Sequence, residues 1–257
     1  MLVPQCRIKR EVLEFSVCGA LEGAKVELHG MSITIAYLHT SHVLIPLFGD
    51  LSRRELPGVE QFHMVDESLI QNTIRANELT KVTIRRVLNM ILSAREGGAD
   101  AVVVTCSSIG PAVTMARELC DFPVVRVDEA MAEEAVRMGR RIGVAATLRT
   151  TLEPTVALLR AKALDAGRPV DVEESLCEGA FAAVLSGDTR THDQLLSDAL
   201  VKLRQSVDVV VLAQASMARV VENLPAVSTS APILSSPELA VKRARSLLFS
   251  SRQSVTN

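Results

Sequence analysis

Cys106 is the residue whose type and position best suit chemistry in this sequence. It ends the largely apolar run ADAVVVT at 99–105 and precedes Ser107 and Ser108. A thiol between a strand and a following helix meets backbone N–H groups and the positive end of the helix, and both favour the thiolate. The two serines add donors that can hold an anion. Such a thiol serves as a general acid or base or as a nucleophile, and the alternative interpretation is a buried, inert cysteine.

His39 and its neighbour Thr40 follow a second apolar run, ITIAYL at 33–38, and are expected at the same sheet edge as Cys106. There His39 would orient the substrate or share a proton with the thiol, and the alternative is a loop histidine. His39 and His42 do not make a metal site by themselves, because the sequence offers no apparent third ligand. We therefore predict a catalytic pair, Cys106 and His39, without a metal.

Thr147 and Thr150, in ATLRT at 146–150, form a second group of hydroxyl residues after an apolar run. Their hydroxyls and the local N–H groups suit a substrate carboxylate. Capping of the helix that follows is the alternative, and the two roles are compatible. The acidic pairs in VDESL at 65–69 and VEESL at 172–176 suit helix capping or catalysis by carboxylates.

The elements that must position these residues alternate along the chain. Short apolar runs predict strands at 32–38, 60–65, 100–105, 123–127, 142–146, 170–173, 208–213 and 232–234. Helical periodicity marks the segments 80–96, 110–119, 129–138, 151–165, 189–206 and 237–249. This alternation predicts an α/β fold with parallel sheets that are flanked by helices.

Internal similarity divides the chain into two halves. The run ADAVVVTCSSI at 99–109 matches VDVVVLAQASM at 207–217, which lies 108 residues later. Three further matches keep nearly the same offset: 65–69 with 172–176, 32–42 with 140–150, and Pro123 and Glu129 with Pro232 and Glu238. The repeat predicts two pseudosymmetric lobes, 31–120 and 121–230, with the helix at 237–249 packed on the first lobe. It also places Gln214 opposite Cys106, in a cleft between the carboxyl ends of the two sheets.

Residues 1–30 have no counterpart in the repeat. We expect an N-terminal extension there. The alternatives are a mis-assigned start, with Met31 as the first residue, and an ordinary element that packs on a lobe.

The composition argues against several classes of protein. With 3% aromatic residues, no Trp and a net charge of -2, the chain lacks stacking platforms and a basic surface for nucleic acid or anionic membrane. No run reaches the roughly 18 apolar residues that span a bilayer. Five scattered cysteines indicate free thiols in a reducing, cytoplasmic setting. No glycine-rich phosphate loop follows a strand, so no nucleotide cofactor is expected.

The pattern resembles the aspartate/glutamate racemase superfamily, which includes hydantoin racemases, maleate isomerase and arylmalonate decarboxylase. The resemblance covers about residues 31–250. It rests on VVVTCSS, IGVAATLRT and VVVLAQAS, where the family commonly has Cys-Asn-Thr, Thr-x-x-Thr and Gly-Cys-Thr. The resemblance implies a cofactor-independent enzyme with a small carboxylic-acid substrate, assembled as a homodimer or higher homo-oligomer.

Carried over by position, Cys106 is the cysteine of the first lobe, and His39 stands where amino-acid racemases often have an aspartate. The resemblance implies that Ser107 and Ser108 form the anion-holding loop and that Thr147 and Thr150 bind substrate in the second lobe. We also expect Thr40, Gln214 and Ser216 to bind substrate, because each comes just after a predicted strand. Gln214 replaces the second cysteine of the family, and its amide does not exchange protons usefully near pH 7.

The sequence therefore predicts an isomerase or racemase-type enzyme in which one thiol transfers a proton, or forms an adduct, next to a carboxylate. A decarboxylase or other lyase with a single catalytic cysteine is the first alternative. A non-catalytic protein that binds small acids is the second. A hydrolase that uses Cys106 and His39 gains little support from fold analogy.

Overall fold

The structure is a computed structural model that describes residues 32–221, residue 224 and residues 231–253. The N-terminal extension expected at 1–30 lies outside the described residues. Within the described part, parallel strands form two four-stranded sheets with helices around them. The expected α/β fold with two similar lobes is confirmed.

The first lobe is built on the sheet that carries Cys106. Its strands are β1 (Thr34–His39), β2 (Glu60–Val65), β3 (Ala101–Val104) and β4 (Val124–Arg126), and they lie in the order β2-β1-β3-β4. Its helices are α1 (Ile45–Glu55), α2 (Glu67–Ala76), α3 (Lys81–Glu96) and α4 (Gly110–Arg117). Short 3₁₀ turns follow β1 and β3, at His42–Leu44 and Ser107–Ile109.

The second lobe repeats this plan. Its strands are β5 (Arg141–Ala146), β6 (Asp171–Leu176), β7 (Val209–Leu212) and β8 (Ile233–Leu234), in the order β6-β5-β7-β8. Its helices are α5 (Glu129–Met138), α6 (Arg149–Asp165), α7 (Ala180–Leu185), α8 (Thr189–Leu203) and α9 (Ala218–Val221), and a 3₁₀ turn at Ala215–Met217 follows β7. The last helix, α10 (Ser236–Gln253), packs on the first lobe through Ala240, Val241 and Ala244.

The central strands are rich in valine and fully buried. Val102, Val103 and Val104 of β3 are each 0% exposed, because helices cover both faces of the sheet. β-Branched residues favour this setting, in which no strand face meets water. The strands could therefore be predicted from short apolar runs in the sequence. No described helix is long and apolar enough to cross a membrane.

Backbone hydrogen bonds fix which residues of the two lobes are equivalent. In the first lobe, the N–H of Thr105 donates to the carbonyl of Leu38 over 3.0 Å. In the second lobe, the N–H of Ala213 donates to the carbonyl of Ala145 over 2.9 Å. The residues that come next in the chain are therefore equivalent, and these are Cys106 and Gln214.

By the same register, Thr40 is equivalent to Thr147. The register also corrects two details of the repeat. The offset between β1 and β5 is one residue shorter than between β3 and β7, so the match of 32–42 with 140–150 is displaced by one residue. The match of 65–69 with 172–176 is wrong: the first segment spans the end of β2 and the start of α2, whereas the second lies within β6. Only the first acidic pair caps a helix, because the Asp66 carboxylate accepts the N–H of Ser68.

Candidate active site

The Cys106 sulfur lies at the end of β3, where the chain enters the 3₁₀ turn. It accepts a hydrogen bond from the hydroxyl of Thr40, which follows the neighbouring strand β1. The hydroxyl and the N–H of Ser108 and the N–H of Ile109 also donate to it. Four donors thus surround the sulfur, and such an arrangement holds negative charge as it develops.

Burial raises the pKa of the Cys106 thiol above its ordinary value of 9.0, although the hydrogen bonds, led by that from Thr40, act in the opposite direction. This is the reverse of the lowered pKa expected from a position before a helix. The thiol packs against the apolar cluster beneath β3, and loss of water around it outweighs the donors. The protonated thiol is therefore the resting form at neutral pH.

Ser108 connects the thiol to the second lobe. Its Oγ lies 2.8 Å from Oγ1 of Thr151, in the first turn of α6, and both residues are buried. This contact brings the carboxyl end of β3 against the residues that follow β5. The polar groups that follow the central strands of the two lobes therefore lie next to each other.

Gln214 is bound to Thr147, the residue equivalent to Thr40. Its Oε1 accepts the N–H of Thr147 over 2.7 Å, and its Nε2 lies 2.8 Å from the Thr147 hydroxyl oxygen. Each lobe therefore pairs the residue after its central strand with a threonine from the neighbouring strand end. The partner of the threonine is a thiol in the first lobe and a neutral amide in the second.

His39 does not meet Cys106. Its side chain is fully buried on the face of the first sheet that α1 and α10 cover, and Cys106 and Thr40 point to the other face. Its Nδ1 lies 2.8 Å from Oγ1 of Thr105, and its Nε2 lies 2.9 Å from Nδ1 of His63. The geometry therefore gives no support to the expected proton exchange between His39 and the thiol.

The remaining expected residues differ in their surroundings. Ser107 is buried within the 3₁₀ turn, and Ser216 is exposed in the equivalent turn of the second lobe. Thr150 lies in the first turn of α6, and its buried Oγ1 has no hydrogen-bond partner among the described residues. An unpaired hydroxyl at a helix N-terminus suits an oxygen of an anionic ligand.

The sequence reasoning missed a buried ion pair beside the site. Arg126 at the end of β4 contacts Asp128 at two points, with Nε–Oδ1 and Nη2–Oδ2 distances of 2.6 and 3.0 Å. The same guanidinium donates to the carbonyl of Pro154 in α6 over 3.3 Å, which links the lobes a second time. Gly110 is needed here, since a Cβ at that position would lie 2.4 Å from Nε of Arg126. An arginine and an aspartate two residues apart at a strand end were the available signal.

Two surface grooves lie away from this site. One, of about 590 Å³, runs between α1 and α10, and the other, of about 650 Å³, follows β6 and α8. Neither is lined by an expected site residue. No group of three or more His, Cys, Asp or Glu side chains placed to hold a metal ion occurs among the described residues.

Comparison with known proteins relates this arrangement to one family. The family model described as Asp/Glu/Hydantoin racemase matches residues 40–244. Curated protein sequences give no match.

Among solved structures, an allantoin racemase from Klebsiella pneumoniae is 19% identical, with a TM-score of 0.64 over 86% of this chain and 89% of that one. A glutamate racemase from Bacillus anthracis is 20% identical, with a TM-score of 0.65 over 86% and 84%. A glycine-to-cysteine mutant of arylmalonate decarboxylase is 18% identical, with a TM-score of 0.54 over 84% and 93%. At these identities the structures establish a shared fold.

Proposed function

This chain belongs to the Asp/Glu/hydantoin racemase family, and on that premise we propose that it transfers a proton at the carbon next to the carboxylate of a small acid. Cys106 is the single thiol that carries the proton. The observation behind this proposal is the position of Cys106 at the end of β3, within hydrogen bonds from Thr40, Ser108 and Ile109.

The chemistry requires a site that stabilises charge away from the thiol. Proton removal or addition beside a carboxylate passes through a state with extra negative charge on the carboxylate oxygens. The unpaired hydroxyl of Thr150 and the first turn of α6 are suited to bind those oxygens. A donor directed at charge that develops in the transition state contributes about 3 kcal/mol.

The proposed transfer takes place on one face of the carbon. The side chain equivalent to the thiol is the Gln214 amide, which is hydrogen-bonded to Thr147 and does not act as an acid or a base near pH 7. Inversion needs a second acid or base on the other face, so two-thiol racemisation does not suit this chain. One-sided isomerisation, or attack by the thiolate to form an adduct, remains compatible with the site.

Decarboxylation is the second candidate, and the protonated resting thiol favours it. In that reaction the bond to the departing carboxylate breaks, carbon dioxide leaves, and the electron pair passes to the oxygens of the remaining acid. The Cys106 proton then goes to the carbon. The thiolate regains its proton from water.

A substrate panel tests the proposal. The probes are the separate enantiomers of glutamate and aspartate, together with phenylmalonate. The variants are Cys106→Ala and, as a matched control, Cys120→Ala, at a residue beyond the C-terminal end of α4. In deuterated water we expect deuterium to enter at least one amino-acid enantiomer without inversion, or phenylmalonate to lose carbon dioxide, and we expect this activity to be lost in the first variant and kept in the second. Release of carbon dioxide would assign the decarboxylase.

Turnover that persists in Cys106→Ala would overturn the role of the thiol. Saturable binding of a probe without turnover by the unmodified protein would overturn the enzyme and favour a binding protein.

A further inference from the structure

A chain of hydrogen bonds that joins three side chains lies beneath the turn that carries Cys106. His63 is on β2, His39 ends β1, and Thr105 immediately precedes Cys106 after β3. The His63–His39 distance is 2.9 Å between Nδ1 and Nε2, and the His39–Thr105 distance is 2.8 Å between Nδ1 and Oγ1. The chain therefore connects the ends of three adjacent strands.

The direction of every hydrogen bond in this chain follows from its last member. Thr105 has one hydroxyl hydrogen, and it donates this hydrogen to the carbonyl of Leu38 over 3.1 Å. The Thr105 oxygen must then accept from Nδ1–H of His39. In a neutral His39 the other nitrogen, Nε2, carries no hydrogen, so it accepts from Nδ1–H of His63.

The surroundings keep His39 neutral. Burial, followed by the charge of His63, lowers the pKa of His39 from 6.5 to about 4. Its ring plane lies within 18° of the planes of Tyr37 and His63, and Phe48 lies against it at a steeper angle. A neutral ring held on three sides has one tautomer and one orientation available to it.

The second lobe supplies an internal comparison. The register places Ala146 at the position of His39, and Ala213 at the position of Thr105. Glu174 stands at the position of His63. All three members of the chain are therefore absent from the strand ends that carry Gln214. They occur in the lobe that carries the thiol.

We propose that His63 and His39 are positioning residues that fix Thr105 and thereby hold Cys106 within reach of its donors. Thr105 is bound to β1 twice, through its N–H and through its hydroxyl, and both bonds end on the carbonyl of Leu38. Two residues further on, Thr40 donates to the thiol. The inference rests on the proposed function in taking Cys106 as the reacting group, but its test needs no substrate.

The test compares His63→Phe, which keeps a ring but removes the donor, with His63→Asn, which keeps a donor near the place of Nδ1. Alkylation of Cys106 by iodoacetamide is followed from pH 6 to 11 by mass spectrometry of its peptide. The midpoint of the profile reports the stability of the thiolate, and the plateau reports access to the sulfur. We expect His63→Phe to move the midpoint to higher pH and to slow alkylation at pH 8 about tenfold. A change of that size corresponds to the weakening of one hydrogen bond to the charged thiolate. His63→Asn should stay near the unmodified protein.

Equal shifts in both variants would mean that His63 acts only through its volume. No shift in either variant would mean that the hydrogen bonds through His63, His39 and Thr105 do not affect the thiol. Each result would overturn the inference. If His63→Phe does not fold, ¹⁵N NMR of the unmodified protein decides. We expect the hydrogen of His39 on Nδ1 at pH 7, and a hydrogen on Nε2 instead would overturn the inference. Turnover that survives Cys106→Ala would refute the proposed function and leave these readouts unaffected.

Discussion

Cys106 and Gln214 occupy equivalent positions in the two lobes, each directly beyond a central strand and each bound to a threonine. Thr40 donates to the sulfur of Cys106, and Thr147 binds the amide of Gln214 at two points. The lobes therefore share one scaffold but present different groups: a thiol in the first lobe and a neutral amide in the second. This asymmetry underlies the proposal that protons move on one face of the substrate.

The first prediction restores chemical symmetry. Gln214→Cys places a second thiol at the position equivalent to Cys106, and we expect it to produce slow formation of the opposite enantiomer of whichever probe the protein accepts. Gln214→Ala is the control, because it also frees Thr147 but adds no acid or base. Chiral chromatography measures both. Equal formation of the opposite enantiomer in the two variants would show that the added thiol is not responsible.

The second prediction concerns the hydroxyl that donates to the thiol. Thr40→Val removes that hydrogen bond and keeps the shape of the side chain, so the pKa of Cys106 should rise further and alkylation at pH 8 should slow about tenfold. Thr40→Ser keeps the hydroxyl and should retain most of the rate. Peptide-resolved labelling with iodoacetamide measures the effect. An unchanged rate in Thr40→Val would remove Thr40 from the site.

The third prediction concerns the contact between the lobes. The Oγ atoms of Ser108 and Thr151 lie 2.8 Å apart in a buried setting, so their hydrogen bond should contribute about 1 kcal/mol to the free energy of unfolding. A double-mutant cycle with Ser108→Ala and Thr151→Val, measured by urea denaturation, isolates this coupling. Strictly additive effects would indicate that the two hydroxyls do not interact in solution.

The fourth prediction is a pH dependence of stability that arises from His39. Its pKa is about 4 in the folded protein and near 6.5 in the unfolded chain, so the unfolded chain binds the proton more readily. Stability is therefore fully present above pH 6.5 and decreases as the pH falls from 6.5 to 4, by up to about 3 kcal/mol. The lowered pKa of His63 acts in the same direction.

His39→Asn is the matched variant for that measurement, because its side-chain amide can still donate to Thr105 but does not titrate. We expect its free energy of unfolding to change less between pH 6.5 and 4 than that of the unmodified protein. The loss of stability that follows protonation of Glu129 occurs in a lower pH range. Its hydrogen bonds from Arg117 and Lys162 overcome the effect of burial and bring its pKa to about 2, so that loss begins below pH 4.5. Parallel curves for the two proteins above pH 4.5 would refute the role of His39.

The sequence predicted the central strands β3 and β7 well, because their valine runs suit strands that are buried on both faces. It missed α1, α2 and α7, and for α1 the reason is local. The helix α1 begins after Leu44 without a side-chain cap, and Pro46 and Gly49 interrupt its pattern. Short helices with a weak start owe their stability to the packing of residues such as Phe48 against the sheet, which the sequence does not display.

The position of Cys106 was predictable, but its surroundings were not. Side chains alternate between the two faces of a strand, so the direction of His39 depends on the register between β1 and β3. That register puts His39 with Thr105 on one face and Thr40 with Cys106 on the other. The direction of the thiol pKa was also hidden, because it depends on how far burial outweighs four hydrogen bonds.

The central claim is that Cys106 moves protons on one face of the substrate carbon, and exchange in deuterated water tests it most directly. The unmodified protein is incubated with each enantiomer of the probe it turns over, or with phenylmalonate, and deuterium content and chirality are followed together by NMR and chiral chromatography. The account predicts that deuterium enters with a single configuration and that Cys106→Ala abolishes its entry. Rapid appearance of both enantiomers, each carrying deuterium, would contradict the account and require a second acid or base on the opposite face.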